Sequence, residues 1–97
     1  MTTEDDLMDM VNKIIAQNSD NVSAMGAAIL VATEREICQD SLSFARIFEV
    51  GHAVVIRECN SLAEEVRFLN IDGRKESSQR LKYSLTTEAK TMLKQIK

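Results

Sequence analysis

The sequence predicts a single α+β domain that is mostly helical and carries one two-stranded β-hairpin. The chain has 97 residues, which is the length of one small domain. It has no Pro and only three Gly, so few residues interrupt regular structure. Apolar residues recur at helical spacing along most of the chain, whereas one segment near the C-terminus alternates between apolar and polar residues as a strand does.

The first predicted helix covers residues 4–17 and has one apolar face. Its apolar side chains follow the spacing i, i+3, i+4, i+7 and i+8: Leu7, Met10, Val11, Ile14 and Ile15. Thr3 or Thr2 is the expected N-cap. The stripe is either part of the core or a surface that pairs with a second copy of the chain.

Three further helices are predicted before the hairpin. The first, residues 22–35, is apolar almost all round and is therefore the expected centre of the core. Gly26 inside it either permits a close helix crossing or is simply tolerated. Asp40 is the expected N-cap of a short helix at residues 41–48, and a tight turn then leads to a helix at residues 52–64.

The C-terminal third is predicted to form the hairpin and a last helix. Residues 66–72 have the β-branched and aromatic content of a strand, and residues 73–79 are expected to form a long polar loop. Residues 80–85 alternate strictly and predict the second strand. Thr86 and Thr87 are expected to cap a helix at residues 87–97.

Composition excludes several classes of protein. No apolar run approaches the length that spans a bilayer, and the acidic N-terminus is unlike a secretory signal, so a cytoplasmic protein without membrane contact is expected. One His and two Cys cannot supply four zinc ligands by themselves. No phosphate-binding, dinucleotide-binding or hydrolase motif occurs. No catalytic residue, metal or cofactor is therefore expected, and Cys38 and Cys59 are interpreted as buried thiols, with a redox role as the alternative.

The net charge of −3 conceals an uneven distribution. Residues 1–40 carry two basic and eight acidic side chains, a net charge of −6, and residues 41–65 carry two and four, a net charge of −2. Residues 66–97 carry eight basic and three acidic side chains, a net charge of +5. A local basic surface matters more to a polyanion than the total charge does, so nucleic acid remains a candidate partner.

The stretch SLSFARIFEVGHAVVIRECNSL resembles a helix-turn-helix core. Ala45 is the small residue facing the second helix, Phe44 and Phe48 are its apolar neighbours, and Val50 is the apolar residue of the turn. The hairpin that ends in RLKYSLT and the helix after it are similar to the wing and last helix of MarR-, PadR- and ArsR-like regulators.

The resemblance implies a single winged helix-turn-helix domain over residues 1–97. Residues 4–17 would be an extra helix, residues 22–64 the helical core, residues 66–85 the wing and residues 87–97 the last helix. The chain departs from the pattern at Glu49, Glu58 and Ala89: Gly is common at the first and third of these positions, and an apolar residue at the second. These departures leave the wing better supported than the base-reading helix.

The resemblance implies a duplex DNA site built from three groups of side chains. The recognition helix would contribute His52, Ala53, Ile56, Arg57 and Asn60. Arg57 would contact guanine, Asn60 would contact adenine or phosphate, and Ile56, Val54 or Ala53 would contact a thymine methyl group. The wing would contribute Arg74, Lys75, Gln79, Arg80 and Lys82 to phosphates or the minor groove. Hydroxyl or backbone N–H groups at the start of the preceding helix would contact phosphate: Ser41 and Ser43.

We expect a cytoplasmic homodimer that acts in transcription regulation or as a partition-type adaptor, and that binds a pseudo-palindrome. Apolar residues of the first and last helices would form the interface: Leu7, Met10, Val11, Ile14, Met92 and Ile96. The alternative is a winged-helix module that binds a protein and no DNA, which the acidic pI and the apolar Val54 and Ile56 favour. An enzyme is the weakest hypothesis, because no catalytic spacing is present.

Overall fold

In a computed structural model, which describes residues 3–18 and 21–96, five helices surround one antiparallel two-stranded sheet. In chain order the elements are α1 (Thr3–Asn18), α2 (Ala24–Glu34), α3 (Ser41–Ile47), α4 (His52–Glu64), β1 (Leu69–Lys75), β2 (Arg80–Leu85) and α5 (Thr87–Ile96). The predicted α+β class is confirmed. Thr3 is already helical, and the alternative cap, Thr2, lies outside the described residues.

Helix α2 is the centre of the core, as its all-round apolar sequence predicts. Its side chains at Ile29, Leu30 and Val31 are fully buried. The helix begins two residues later than predicted because the Ser23 hydroxyl accepts a hydrogen bond from Gly26 N at 3.0 Å, which makes Ser23 the N-cap. A Cβ atom built on Gly26 would lie 3.3 Å from Ser23 Oγ and 3.4 Å from a methyl group of Leu62 on α4, so α4 passes close to this glycine without requiring it.

Helices α3 and α4 are joined by the tight turn that the sequence predicts. Asp40 caps α3 by accepting a hydrogen bond from Ser43 N at 2.8 Å, as predicted. Phe44 and Phe48 stack with ring centroids 4.3 Å apart at the end of α3. Glu49 then takes a left-handed conformation with φ at 55°, so it adopts the turn without the freedom that Gly would have there.

Strand β1 lies three residues further along the chain than predicted, and the hairpin loop is shorter than predicted. Strand β1 begins at Leu69, three residues after the predicted start, because Arg67 takes a left-handed conformation with φ at 58° and Phe68 N donates back to Leu62 O. Residues 73–75, predicted as loop, pair with β2, and a bulge at Asp72 brings them into register. Only residues 76–79 remain as the turn.

The apolar side chains proposed for a dimer interface lie in the core of a single copy. Helix α1 packs on α2, and α5 packs on α1 and β2. This buries the side chains of Met10, Val11, Ile14, Met92 and Ile96. The structure therefore assigns these residues to the core, which was the alternative for the α1 stripe. Leu7 is half-buried against the same core.

Candidate nucleic-acid interface

The two faces of the hairpin carry different side chains. Residues that pair directly across an antiparallel sheet point to the same face. Arg74 pairs with Leu81, which is buried, so Arg74 lies on the face that the hairpin turns toward the core. Lys75 pairs with Arg80, and Lys82 pairs with Gly73, so these three cations lie on the outer face.

A groove of about 360 Å³ separates α4 from the inner face of the hairpin. It is lined by side chains of both elements: Ile56, Asn60, Arg74, Glu76, Gln79 and Leu81. Four of these residues are among those predicted for the recognition helix and the wing, so the structure brings members of the two predicted groups together. A second concavity of similar volume lies around Gly73 and is lined by Arg74, Lys75, Arg80 and Lys82.

The solvent-facing side of α4 is defined by Ala53 and Arg57, which lie one turn apart and are both exposed. Glu58 points elsewhere, because its carboxylate accepts a hydrogen bond from the Ser23 hydroxyl, 2.8 Å away at the start of α2. The acidic residue that departs from the helix-turn-helix pattern is thus turned toward α2. The exposed side of α4, formed by Ala53 and Arg57 next to the groove, therefore carries the positive charge of Arg57.

Ser41 joins the start of α3, the start of α4 and β2. Leu81 N donates a hydrogen bond to Ser41 Oγ at 2.9 Å, and His52 Nε2 lies 2.8 Å from the same oxygen. The predicted phosphate contact at Ser41 is corrected, because its side chain is fully buried and its oxygen already has two partners. His52 is half-buried, and we assign it a positioning role at the start of α4.

Ser43 and Arg80 are both held by Asp40. The Ser43 hydroxyl donates to one carboxylate oxygen of Asp40 at 2.8 Å, and Arg80 Nε lies 3.5 Å from the other. The Ser43 hydroxyl that was predicted to contact phosphate is therefore engaged beside a negative charge. Arg80 is half-buried, and its ion pair with Asp40 links the hairpin to the N-cap of α3. The exposed cations on the outer face of the hairpin are Lys75 and Lys82.

Both cysteines are reduced and buried, as predicted. Desolvation by burial, and then the charge of Asp40, raises the pKa of Cys38 to about 11. Desolvation, followed by the charges of Glu58 and Cys38, raises the pKa of Cys59 to about 12. Within residues 3–18 and 21–96, no group of three His, Cys, Asp or Glu side chains is arranged to hold a metal ion.

Sequence reasoning missed three features of this region. Leu81 forms part of the groove floor, whereas the alternation of β2 predicted only a strand with Leu81 on its apolar face. Glu76 places a carboxylate in the groove, although the hairpin loop to which it belongs was predicted to be polar and basic. Asp40 was identified as a cap but not as the partner of Arg80, because their contact joins residues forty positions apart and no local pattern indicates it.

Comparison of the chain with protein-family models, with curated proteins and with solved structures finds no match. In the described part of the chain, no helix combines the length and the apolar character needed to cross a bilayer.

Proposed function

We propose that this chain is a winged-helix protein that binds duplex DNA sequence-specifically. It would act as a small dimeric transcriptional regulator or as a partition-type adaptor. The observation that carries the proposal is the groove in which side chains of α4 and of the basic hairpin face each other. A helix with a narrow exposed ridge next to a cationic hairpin suits the major groove and the neighbouring phosphates together.

The solvent exposure of each side chain suggests its role in DNA binding. Ala53 and Arg57 are exposed on α4, so they would meet base edges, with Arg57 donating to guanine. Lys75 and Lys82 are exposed on the outer face of the hairpin and would neutralise phosphates. The hydrogen bonds that Ser41 shares with His52 and Leu81 would hold the two parts at a fixed spacing.

The homodimer remains part of the proposal, with two half-sites about 34–36 Å apart along the duplex. Its interface requires side chains that a single copy leaves accessible. Met8 on α1 is an apolar residue of this kind, with 49% of its surface exposed. We place the proposed dimer interface on this outer side of α1; the other large apolar side chains that are exposed in the described part of the chain are Ile37 and Ile47.

The test is the salt dependence of duplex binding in a charge-reduced hairpin. We expect Arg74, Lys75 and Lys82, replaced together by Gln, to weaken binding strongly. The slope of log K against log salt should also become shallower, by about 0.9 for each phosphate that the variant no longer neutralises. Arg80 is retained because it holds Asp40. A salt-independent affinity, or an affinity that the triple variant leaves unchanged, would overturn the proposal.

A charge-matched control separates binding by the hairpin from general attraction. It replaces three exposed cations outside the hairpin strands, Arg67, Lys90 and Lys94, by Gln. The net charge changes by the same amount in both variants, so long-range attraction falls equally. We expect the slope of the control to stay close to that of the unmodified chain.

The second candidate function is a protein-interaction module. The observation that favours it is the exposed apolar surface of Ile47 on α3, which is 53% exposed, in a chain with net charge −3. A single exposed apolar side chain is ordinary on a protein surface, but it can pack against a protein partner and offers a phosphate no hydrogen-bond donor. If the chain is such a module, it binds no DNA, and replacing Ile47 by Asn abolishes binding of the protein partner. If the chain binds DNA as proposed, the same substitution has little effect on its preference between DNA sequences.

A further inference from the structure

We infer that the groove between α4 and the hairpin seats one phosphodiester segment of the DNA backbone, with Arg74 as the cation on its phosphate. The inference rests on the proposed function and makes it more specific. It assigns Asn60 to backbone binding and removes it from the residues that read bases.

The position of the groove fits the geometry of a duplex. In B-form DNA each major groove is separated from the adjacent minor groove by one backbone strand. When α4 lies in the major groove and the hairpin reaches toward the adjacent minor groove, that strand has to pass between them. The space between α4 and the inner face of the hairpin is the groove of about 360 Å³.

The chemistry of the lining also suits a phosphodiester. The rim offers a guanidinium from Arg74 and side-chain amides from Asn60 and Gln79, and such groups commonly donate to phosphate oxygens. The floor is apolar and is made by Ile56 and Leu81. A phosphodiester segment has the same two characters, because a charged phosphate is followed by the largely apolar carbon face of deoxyribose.

The placement of charge within the groove indicates where the phosphate would lie. Glu76 also lines the groove, and this residue belongs to the turn at the tip of the hairpin. Its carboxylate therefore disfavours a phosphate at the outer end. Arg74 belongs to β1 and Asn60 to α4, so the favoured position for the phosphate is further inside, between the two elements.

Two neighbouring residues provide a matched pair for the test. Arg74 and Lys75 are consecutive exposed cations of β1, but cross-strand pairing places Arg74 on the groove side and Lys75 on the outer face. Replacing either by Gln removes one positive charge. General electrostatic attraction to DNA falls equally in both variants, whereas only Arg74→Gln removes the cation from the groove.

The experiment combines these variants with a duplex in which single phosphates are neutralised. Methylphosphonate is introduced at one position at a time in a duplex that the full chain selects from a random library, and affinity is measured by fluorescence anisotropy. We expect one phosphate per half-site whose neutralisation weakens binding of the unmodified chain and of Lys75→Gln at least threefold. The same neutralisation should have no effect on Arg74→Gln, as a double-mutant cycle requires.

A second readout tests the role of Asn60. We expect Asn60→Ala to weaken binding to the selected duplex and to a scrambled duplex by the same factor, about 3- to 10-fold, whereas Arg57→Ala lowers the ratio of the two affinities. The inference is overturned when no phosphate couples to Arg74, when Lys75→Gln shows the same coupling, or when Asn60→Ala changes the ratio. An unmodified chain that binds no duplex at all would instead contradict the proposed function.

Discussion

At the scale of single residues, the buried hydroxyl of Ser41 has the most consequences. Its oxygen accepts a hydrogen bond from Leu81 N and lies within hydrogen-bond distance of His52 Nε2. This one atom therefore contacts both β2 and the first residue of α4. Buried backbone N–H groups are almost always paired. The hydroxyl therefore contributes to stability at the point where β2 meets the start of α4.

Replacing Ser41 by Ala should lower the free energy of unfolding by about 1–3 kcal/mol, because the buried N–H of Leu81 loses its acceptor. Ser43→Ala is the matched control in the same helix. Removing its half-buried hydroxyl breaks one hydrogen bond to the Asp40 carboxylate, but that partly exposed carboxylate keeps Ser43 N as a partner, so we expect a smaller decrease of about 0.5–1 kcal/mol. Urea unfolding measures both. An equal or larger decrease in Ser43→Ala would refute the role given to Ser41.

The Cys59 thiol is expected to lower the free energy of unfolding as the pH rises above 9. Its pKa is raised from an ordinary value of 9.0 to about 12 by burial, so the folded state keeps the proton that the unfolded state releases. This contribution is fully present below pH 9 and is lost as pH rises toward 12. We expect the unfolding free energy of Cys59→Ala to fall less between pH 9 and 11 than that of the unmodified chain. An equal fall in the unfolding free energies of the variant and of the unmodified chain would contradict this.

At the scale of elements, the turn between α3 and α4 carries local strain. Glu49 is exposed and has φ at 55°, a conformation that costs a residue with a Cβ atom about 1–2 kcal/mol. Val50 N donates to Ala45 O at 3.0 Å and holds the turn in place. The surrounding hydrogen bond and packing therefore impose the conformation on a residue that does not favour it.

Replacing Glu49 by Gly should raise the free energy of unfolding by about 0.5–1 kcal/mol, since the relief of strain exceeds the added entropy of the unfolded chain. Glu49→Ala removes the same carboxylate but keeps the Cβ atom, so it should give no increase. Thermal unfolding of the two variants checks the prediction. An increase of equal size in both would show that the carboxylate, and not the backbone, is responsible.

The elements also show which parts of a fold local patterns predict. The bounds of α4 and β2 match the prediction, because helical periodicity and strict alternation are both unbroken there. Strand β1 begins three residues later than predicted. The sequence VRF has strand-like residues, but the left-handed turn at Arg67 and the bond from Phe68 N to Leu62 O depend on where α4 ends. Tertiary interactions override the local preference.

At the scale of the whole molecule, the structure shows which surfaces carry the positive charge of the C-terminal third of the chain. The basic excess of residues 66–97 includes four cations of the hairpin, one on the inner face and three on the outer. The alternation of β2 predicts that Arg80 and Lys82 lie on the face opposite Leu81, but the sequence assigns no face to Arg74 and Lys75, which it places in the loop. The faces of these two residues depend on the bulge at Asp72, which no alternation in β1 reveals. The ion pair of Asp40 with Arg80 is equally hidden from local patterns.

Burial explains why some of the predicted site residues had to be reassigned. Ser41 and the apolar stripe of α1 were chosen by sequence position and residue type, which do not report depth. Arg57, Asn60 and Arg74, in contrast, lie on exposed or half-buried positions that the periodicity of α4 and the pairing of the hairpin place toward solvent or the groove. The site that remains is smaller than predicted and is centred on the groove.

The central claim, that this surface recognises duplex DNA, is tested most directly by selecting ligands for the purified full chain from a random duplex library. We expect enrichment of one motif, repeated as a pseudo-palindrome with half-site centres about one helical turn apart. The variant with Arg74, Lys75 and Lys82 replaced by Gln should fail to enrich it. A well-folded chain that enriches no sequence would contradict the claim and favour the protein-interaction module.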